Sequence, residues 1–508
     1  SELFEPYPLR CNLLLLAAAA AVWAAVWWLL LRAARAERPR RVSIVPILVL
    51  LGGAIVVYAS VGAALGAREP APDRPDVLLL LVDALRPDHL GTYGYGRETS
   101  PAIDSLAADG ILFRDAVASS TFTKSSVASL LTGRFPYQHG VYWGSRTDDP
   151  ELPGAVTSDL LPEEERTLAE ALRPAGYLTA AWVQNSHLRD FMGFAQGFVE
   201  YRDQQGGIER IHRKFLSWLR GAGGHYPYFA YLHYIDLHDP YLPETPYDEL
   251  FGRGGTEVYE GIDLAEWGAY LEAVREGRET LSEGEVARLE ALYDGQIRYV
   301  DDSVARLLEA LRREGRYDDT LIILTSDHGD AFYEHGFISH STTPYEELVR
   351  VPLVVKLPGN RHAGTEVAAQ ARLVDVMPTV LDLLGLGLPP EVAGCSLRPL
   401  WEGGPEDGRP PGCGEAVIEI AEEGAYPVVA VRAGGFKYIH HQHGGDELYD
   451  LGSDPGEKKN LAGAGLPQEE ALRERALAVV AAREALAGES IELDPETIRE
   501  LKALGYLD

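Results

Sequence analysis

Cysteine is scarce in this chain. The three residues, Cys11, Cys395 and Cys413, are too few for a disulfide-built scaffold, though Cys395 and Cys413 could pair with one another. Positive charge is also short: 46 Lys and Arg face 77 Asp and Glu, for a net charge of −31. A chain so acidic is repelled by a phosphate backbone, which excludes nucleic acid as a partner. There is no internal repeat, and no low-complexity tract beyond an Ala-rich stretch near the start. What is present is a globular composition, 46% apolar and 24% charged, over 508 residues. That length exceeds one ordinary core and implies several units.

Residues 13–31, "LLLLAAAAAVWAAVWWLLL", carry no charge. At about 1.5 Å per residue they reach roughly 29 Å, the thickness of a bilayer's hydrocarbon core. Residues 42–67 are a second uncharged run, and between the two stand Arg32, Arg35, Arg38, Arg40 and Arg41. Basic residues mark the cytoplasmic loop. The expectation is a two-helix transmembrane hairpin over residues 12–67 in the cell membrane, with the bilayer as a partner. The loop is then inside, and everything after residue 67 is extracytoplasmic. A cleaved signal peptide is the other reading of the first run. It is opposed by Glu2 and Glu5 ahead of the run and by the basic loop behind it.

Residues 68–75, "REPAPDRP", read as a Pro-rich linker. From residue 76 the pattern alternates between strand-length apolar runs and amphipathic helices. Residues 76–83, "DVLLLLVD", and residues 228–236, "YFAYLHYID", suit strands buried on both faces, and residues 320–330, "TLIILTSDHGD", form a strand running into charge. "SPAIDSLAADG" reads as a helix with Ser100 as N-cap, and residues 296–313 have helical periodicity. This predicts an α/β domain over residues 76–400, a mainly parallel sheet sandwiched by helices. Residues 413–462 hold short alternating runs, "AVIEI", "YPVVAVRAGGFKYIHH" and "DELYDL", expected as a small antiparallel sheet in a C-terminal α+β subdomain. Residues 467–508 read as C-terminal helices.

Two of the buried strands end in acids, one at Asp83, the other at Asp327, His328 and Asp330. Ligands collect at the carboxyl ends of parallel strands. Buried carboxylates there are costly without a compensating cation. Asp and His are hard or borderline ligands suited to Zn²⁺, Mn²⁺, Mg²⁺ or Ca²⁺. A single strand-end Asp often only caps a helix, but two strand ends with an Asp-His pair favour a divalent metal site. His233, Asp236 and His238 in "HYIDLHDPYLP", and His335 and His340 in "DAFYEHGFISHSTTPYEE", add imidazoles, some of them bystanders. The hydroxyl-rich "TFTKSSVASLLTG", residues 121–133, poses a choice. Its hydroxyls either cap a helix, or one of them is a nucleophile at the helix's positive end.

"VDALRPDHLGTYGY", "SLLTGRFPYQHGV", "TSDHGDAFYEHG", "PYEELVRVPLVV" and "ELYDLGSDPGEKKNLAG" together resemble the sulfatase branch of the alkaline phosphatase superfamily. The resemblance runs from about residue 76 to 461. It implies an α/β domain with a metal at the strand ends and a smaller C-terminal subdomain. Sulfatases place Cys or Ser, any residue, Pro, any residue and Arg ahead of the Leu-Thr-Gly turn, and oxidise the first to formylglycine. Alignment on Gly133 sets Thr123, Ser125 and Val127 at the three defined positions. Thr cannot become formylglycine, and the strand-end acid pair is reduced to Asp83 followed by Ala84.

A Thr nucleophile is similar to the membrane-anchored phosphoethanolamine and glycerophosphate transferases of the same superfamily. That resemblance implies metal ligands Asp83, Thr123, Asp327 and His328, with Thr123 forming a phospho-Thr intermediate. It implies His238 and His340 as groups that hold the transferred oxygens or protonate the leaving group, with Lys124 and Asn185 as weaker substrate contacts. The substrate expected is a phosphate or sulfate ester, including a lipid-linked one. Two other readings stand beside it. One is a sulfatase proper; the other is a two-metal phosphodiesterase with Asp236, His238 and His340 on a second ion. A membrane protein that keeps a structural metal without catalysis is the non-enzymatic alternative.

Overall fold

The computed structural model describes residues 74–503, apart from 143–154, 204–205, 253–258, 260–266, 404–409, 411, 421–427 and 487–489. The expected membrane spans, residues 13–31 and 42–67, and most of the expected linker lie outside the described residues. Among the described residues no helix is long and apolar enough to cross a membrane.

The apolar runs form strands where the sequence places them. The strands of the large sheet are β1 (Asp76–Val82), β2 (Ile111–Val117), β3 (Leu178–Val183), β4 (Glu200–Asp203), β5 (Tyr228–Tyr234), β6 (Thr320–Thr325), β7 (Arg350–Lys356), β8 (Thr365–Val367) and β9 (Ala371–Arg372). Their order is β8-β2-β7-β6-β1-β5-β3-β4, with β9 also paired to β2. Every pairing is parallel except those of β7 with its neighbours β6 and β2. The expected mainly parallel sheet is therefore observed, with one antiparallel strand inside it.

Two-faced burial explains the runs of consecutive apolar residues in β1, β5 and β6. Val77, Leu79, Leu81, Phe229, Tyr231, Leu321 and Ile323 pack into one core layer. Leu78, Leu80, Val82, Ala230, Leu232, Ile322 and Leu324 pack into the other. A strand with helices on both faces needs apolar side chains at every position. The first layer is closed by α2 (Thr123–Thr132) and α5 (Val376–Leu383), the second by α1 (Pro101–Ala108), α3 (Gly207–Arg220) and α4 (Glu283–Arg313).

The start of α4 lies earlier than the periodicity over residues 296–313 indicates. Ser282 and Glu285 form a reciprocal capping box that begins the helix one serine beyond Leu281. At α1 the expectation needs correcting. Ser100 occupies the N-cap position but makes no capping bond; its hydroxyl donates to Asp104 at 3.0 Å. The free amides of Ala102 and Ile103 instead donate to Asp301 of α4, at 2.8–3.0 Å.

The C-terminal region is the antiparallel sheet expected: β10 (Ala416–Ile420), β11 (Val428–Ala433), β12 (Phe436–His440) and β13 (Glu447–Asp450), in that order. One face packs on α6 (Pro467–Glu484), and α7 (Pro495–Ala503) follows. The other face meets Val117 and Val349 of the large domain. Asp73–Asp508 is accordingly one compact unit. Cys395 and Cys413 are joined in a disulfide.

Candidate active site

The adjacent strands β6, β1, β5 and β3 all point their carboxyl ends the same way, and the chain places a polar side chain at or just after each end. Asp83 follows β1, Asp327 and His328 follow β6, His233 is the penultimate residue of β5, and Asn185 follows β3. The backbone turns sharply after Asp83: Ala84 has φ 59°, a left-handed conformation unusual for a residue with a Cβ. The turn lets the Ala84 N–H donate to Asp327 Oδ1 at 3.3 Å, so the two strand-end acids are bound to one another through the backbone.

Asp83, Asp327 and His328 present one ligand atom each to a common point, and all three are fully buried. His328 Nδ1 faces the Gly329 carbonyl at 3.0 Å. Its Nε2 is left toward the acids, 3.6 Å from Asp83 Oδ1 and 3.7 Å from Asp327 Oδ2. Neither of those two oxygens receives a hydrogen bond. Burial first, and then the charges of Asp327 and Asp330, push the Asp83 carboxyl well above its ordinary range. Burial holds the His328 imidazole down at about 4. Two orphaned buried carboxylate oxygens beside a neutral imidazole nitrogen fit a divalent cation.

Thr123 is the first residue of α2, whose N-cap is Phe122. Its hydroxyl is not used on the helix; Oγ1 lies 3.2 Å from His328 Nε2. Ser126, one turn on, donates to the Asp327 carbonyl at 2.7 Å and ties α2 to the β6 strand end. Thr123 Oγ1 therefore faces His328 Nε2 rather than a helix amide.

His238 and His340 stand next to this cluster. The His340 ring stacks on His328 at 4.3 Å and meets His238 edge-on at 4.7 Å. Asp330 Oδ1 holds His340 Nδ1 at 2.6 Å, and the Tyr241 hydroxyl donates to Asp330 Oδ2 at 2.7 Å. His238 Nδ1 faces the Asp239 carbonyl at 2.7 Å. The Asp239 carboxylate accepts from Trp267 Nε1 and, at 3.2 Å, from the Ser339 hydroxyl. Burial raises the Asp330 carboxyl to about 7, with the Asp239 charge adding to it. Burial opposes ionisation of Asp239 too, but His238, His340 and the two donors outweigh it and hold that carboxyl below its ordinary value.

Three expectations change. Asp236 does not join His238 and His340; both its oxygens accept the Ile208 N–H at 3.1 Å at the start of α3, so it serves a helix terminus. Asp239 is the acid grouped with both histidines, and Asp330 stands with His340 and His328. Lys124, one residue after Thr123, is rotated away on the helix and fully buried. Its ammonium contacts Ser158 Oγ and lies 3.4 Å from Met192 Sδ, and burial lowers it to about 7. Asn185 is at the site, but its amide donates to Asp83 Oδ2 at 3.0 Å, a bond to protein. His335 is the bystander: it pairs with Glu347 at 2.6 Å and stacks on Tyr345.

The family model described as Sulfatase matches residues 75–386, and that of the N-sulphoglucosamine sulphohydrolase C-terminal region matches residues 333–477. The multifunctional alkaline phosphatase superfamily protein PehA of Trinickia caryophylli is 27% identical over 478 residues, covering 77% of this chain and 91% of that one. The Delta 4,5-hexuronate-2-O-sulfatase of Bacteroides thetaiotaomicron is 25% identical over 429 residues, covering 79% and 87%. Among solved structures, the phosphonate monoester hydrolase of Agrobacterium radiobacter superposes with a TM-score of 0.61 at 22% identity, covering 83% of this chain and 100% of that one.

Proposed function

The chain belongs to the sulfatase family of the alkaline phosphatase superfamily, and from that premise we propose that it cleaves phosphate esters, phosphodiesters or lipid head groups through a covalent phospho-Thr123 intermediate. It is a hydrolase by family; the ester, the nucleophile and the membrane setting are the proposal. The observation that carries it is Thr123 itself. Its hydroxyl opens a helix without capping it and lies 3.2 Å from His328 Nε2, beside two orphaned carboxylate oxygens.

Asp83, Asp327, His328 and Thr123 Oγ1 would hold the divalent ion of this family, and the positive charge it supplies favours the alkoxide and offsets charge on the transferred group. The ion is Zn, Mn, Ca or Mg by donor chemistry. Thr123 Oγ1 attacks phosphorus, and the bond from phosphorus to the leaving oxygen breaks. His340 or His238 delivers a proton to that oxygen. Water, or an acceptor alcohol, then gives its proton to that imidazole and attacks phosphorus; the Thr123 Oγ1–P bond breaks and releases the Thr123 oxygen for the next turnover. Asp330 and the Asp239 carbonyl fix the two rings through Nδ1. Membrane anchoring through residues 13–31 and 42–67 completes the reading. The Cys395–Cys413 disulfide suits an extracytoplasmic domain.

Sulfate esters are the second reading, favoured by the curated relatives that are named sulfatases. The same Thr attack would apply, since formylglycine cannot form at Thr123. The test is peptide mass spectrometry after incubation with a phosphodiester: a phosphate on the Thr123 peptide is expected. Thr123→Ala should lose turnover by about three orders of magnitude or more while staying folded, and Thr123→Ser should keep part of it. Near wild-type turnover by Thr123→Ala rules the covalent route out. Faster cleavage of a sulfate ester than of a phosphodiester overturns the choice of ester.

A further inference from the structure

His233 continues the row Phe229 and Tyr231 on β5, the row that packs into the same core layer as α2. Where the alternation calls for a third large apolar side chain, the sequence supplies an imidazole. It is fully buried, opposite Leu81 of β1 and Val183 of β3 in register. Neither ring nitrogen has a hydrogen-bond partner. Buried polar side chains are nearly always partnered, so an orphaned imidazole in a central strand calls for an explanation.

Its ion-pair neighbour is Asp83. His233 Nε2 lies 3.8 Å from Asp83 Oδ2. The two Asp83 oxygens have different surroundings. Oδ1 is orphaned and faces His328 Nε2; Oδ2 accepts from Asn185 and faces His233. One oxygen therefore looks to the candidate metal position, and the other looks back into the sheet toward two potential donors. His233 is not among the side chains that present a ligand atom to the common point of Asp83, Asp327 and His328.

We infer that His233 is a positioning residue for the metal-binding carboxylate: its imidazole, 3.8 Å from Asp83 Oδ2, and the Asn185 amide, hydrogen-bonded to it, confine that oxygen so that Oδ1 is presented to the cation. The inference rests on the metal reading given above. Partners of this kind restrict a ligating carboxylate's orientation, and losing one typically weakens metal affinity about 10–100-fold.

The experiment is competitive titration of the full-length protein with Mn²⁺ or Zn²⁺ against a chelating dye, on wild type, His233→Phe and His233→Gln. His233→Phe keeps a planar ring of similar size and removes the donor; it should weaken metal affinity about 10–100-fold, with the metal-free unfolding midpoint unchanged or raised. His233→Gln restores an N–H and should recover a large part of that loss. If His233→Phe does not fold, His233→Gln against His233→Leu makes the same comparison. Wild-type affinity in His233→Phe overturns the inference while leaving the metal site standing. Failure of wild type to bind any divalent ion overturns the metal reading itself. Loss of one nitrogen donor in the spectrum of the Co²⁺ form of His233→Phe would make His233 a direct ligand and also refute the positioning role.

Discussion

At the scale of single residues, the site is a problem of uncompensated charge. Asp83, Asp239, Asp327 and Asp330 are all at least nine-tenths buried, and the Arg86 guanidinium, which reaches the Asp330 carbonyl, is taken up by Asp88 and Glu334. Asp327 shows how the charge can be tested apart from the fold. Its Oδ1 accepts the Ala84 and His328 amides, and its Oδ2 accepts nothing. Asp327→Asn can keep the amide oxygen on those two N–H groups and place an NH₂ where Oδ2 stood. The expected outcome is a folded protein that has lost stoichiometric metal and about 100-fold or more of its activity, measured by elemental analysis and turnover on the same preparation. Retention of one metal per chain would move Asp327 out of the ligand set. Asp327, His328 and Asp83 were legible in sequence because acids closing apolar runs are costly there for any other reason. Asp236 and Asp239 were not separable: both follow β5 closely, and only the position of α3's first amides makes one a helix acceptor and the other a neighbour of His238 and His340. Asp239 and the orphaned His233 are the site residues that pattern reading left without a role. For His233 a signal existed, since the Phe-x-Tyr-x-His alternation puts a titratable group on a buried face.

At the scale of elements, strands were the most legible part of the chain and helix ends the least. Strand identity follows from composition over six or seven residues, whereas a cap can come from anywhere. The start of α4 carries its own signal in Ser282 and Glu285. The start of α1 carries a misleading one in Ser100, because Asp301, two hundred positions away, supplies the acceptor for Ala102 and Ile103. Asp301 is thus both a buried residue of α4 and the cap of α1, and α1·α4 docking and capping are a single interaction. Asp301→Ala leaves two amides without that acceptor. It should cost about 0.5–2 kcal/mol, the range for losing an N-cap, read as a lower urea midpoint with activity per folded molecule unchanged. Asp301→Asn, which keeps an acceptor oxygen, should lose less. Ser100→Ala, a loss comparable to a cap if the local reading were right, should be milder than Asp301→Ala.

At the scale of the whole molecule, the catalytic unit and the N-terminal apolar segments make separate demands on the compartment. In the proposed topology the five arginines between residues 31 and 42 would put that loop in the cytoplasm and the catalytic unit outside. The Cys395–Cys413 disulfide is a second, independent reason for an outside catalytic unit, because such bridges persist in oxidising compartments and are rare in reducing ones. The two arguments predict one labelling pattern. In a Cys11→Ser background, which removes the only cysteine outside the bridge, Ala36→Cys should resist a membrane-impermeant maleimide in intact cells and react after lysis. Glu164→Cys, at an exposed position of the catalytic unit, and Asp508→Cys should react in intact cells. In wild type, Cys395 and Cys413 should be blocked in material alkylated at harvest and become reactive only after reduction. The reverse pattern at Ala36 and Glu164 would place the catalytic unit in the cytoplasm. It would also exclude extracytoplasmic lipid head groups as the substrate, while leaving Thr123, the acids at the strand ends and the covalent route to be judged on their own tests.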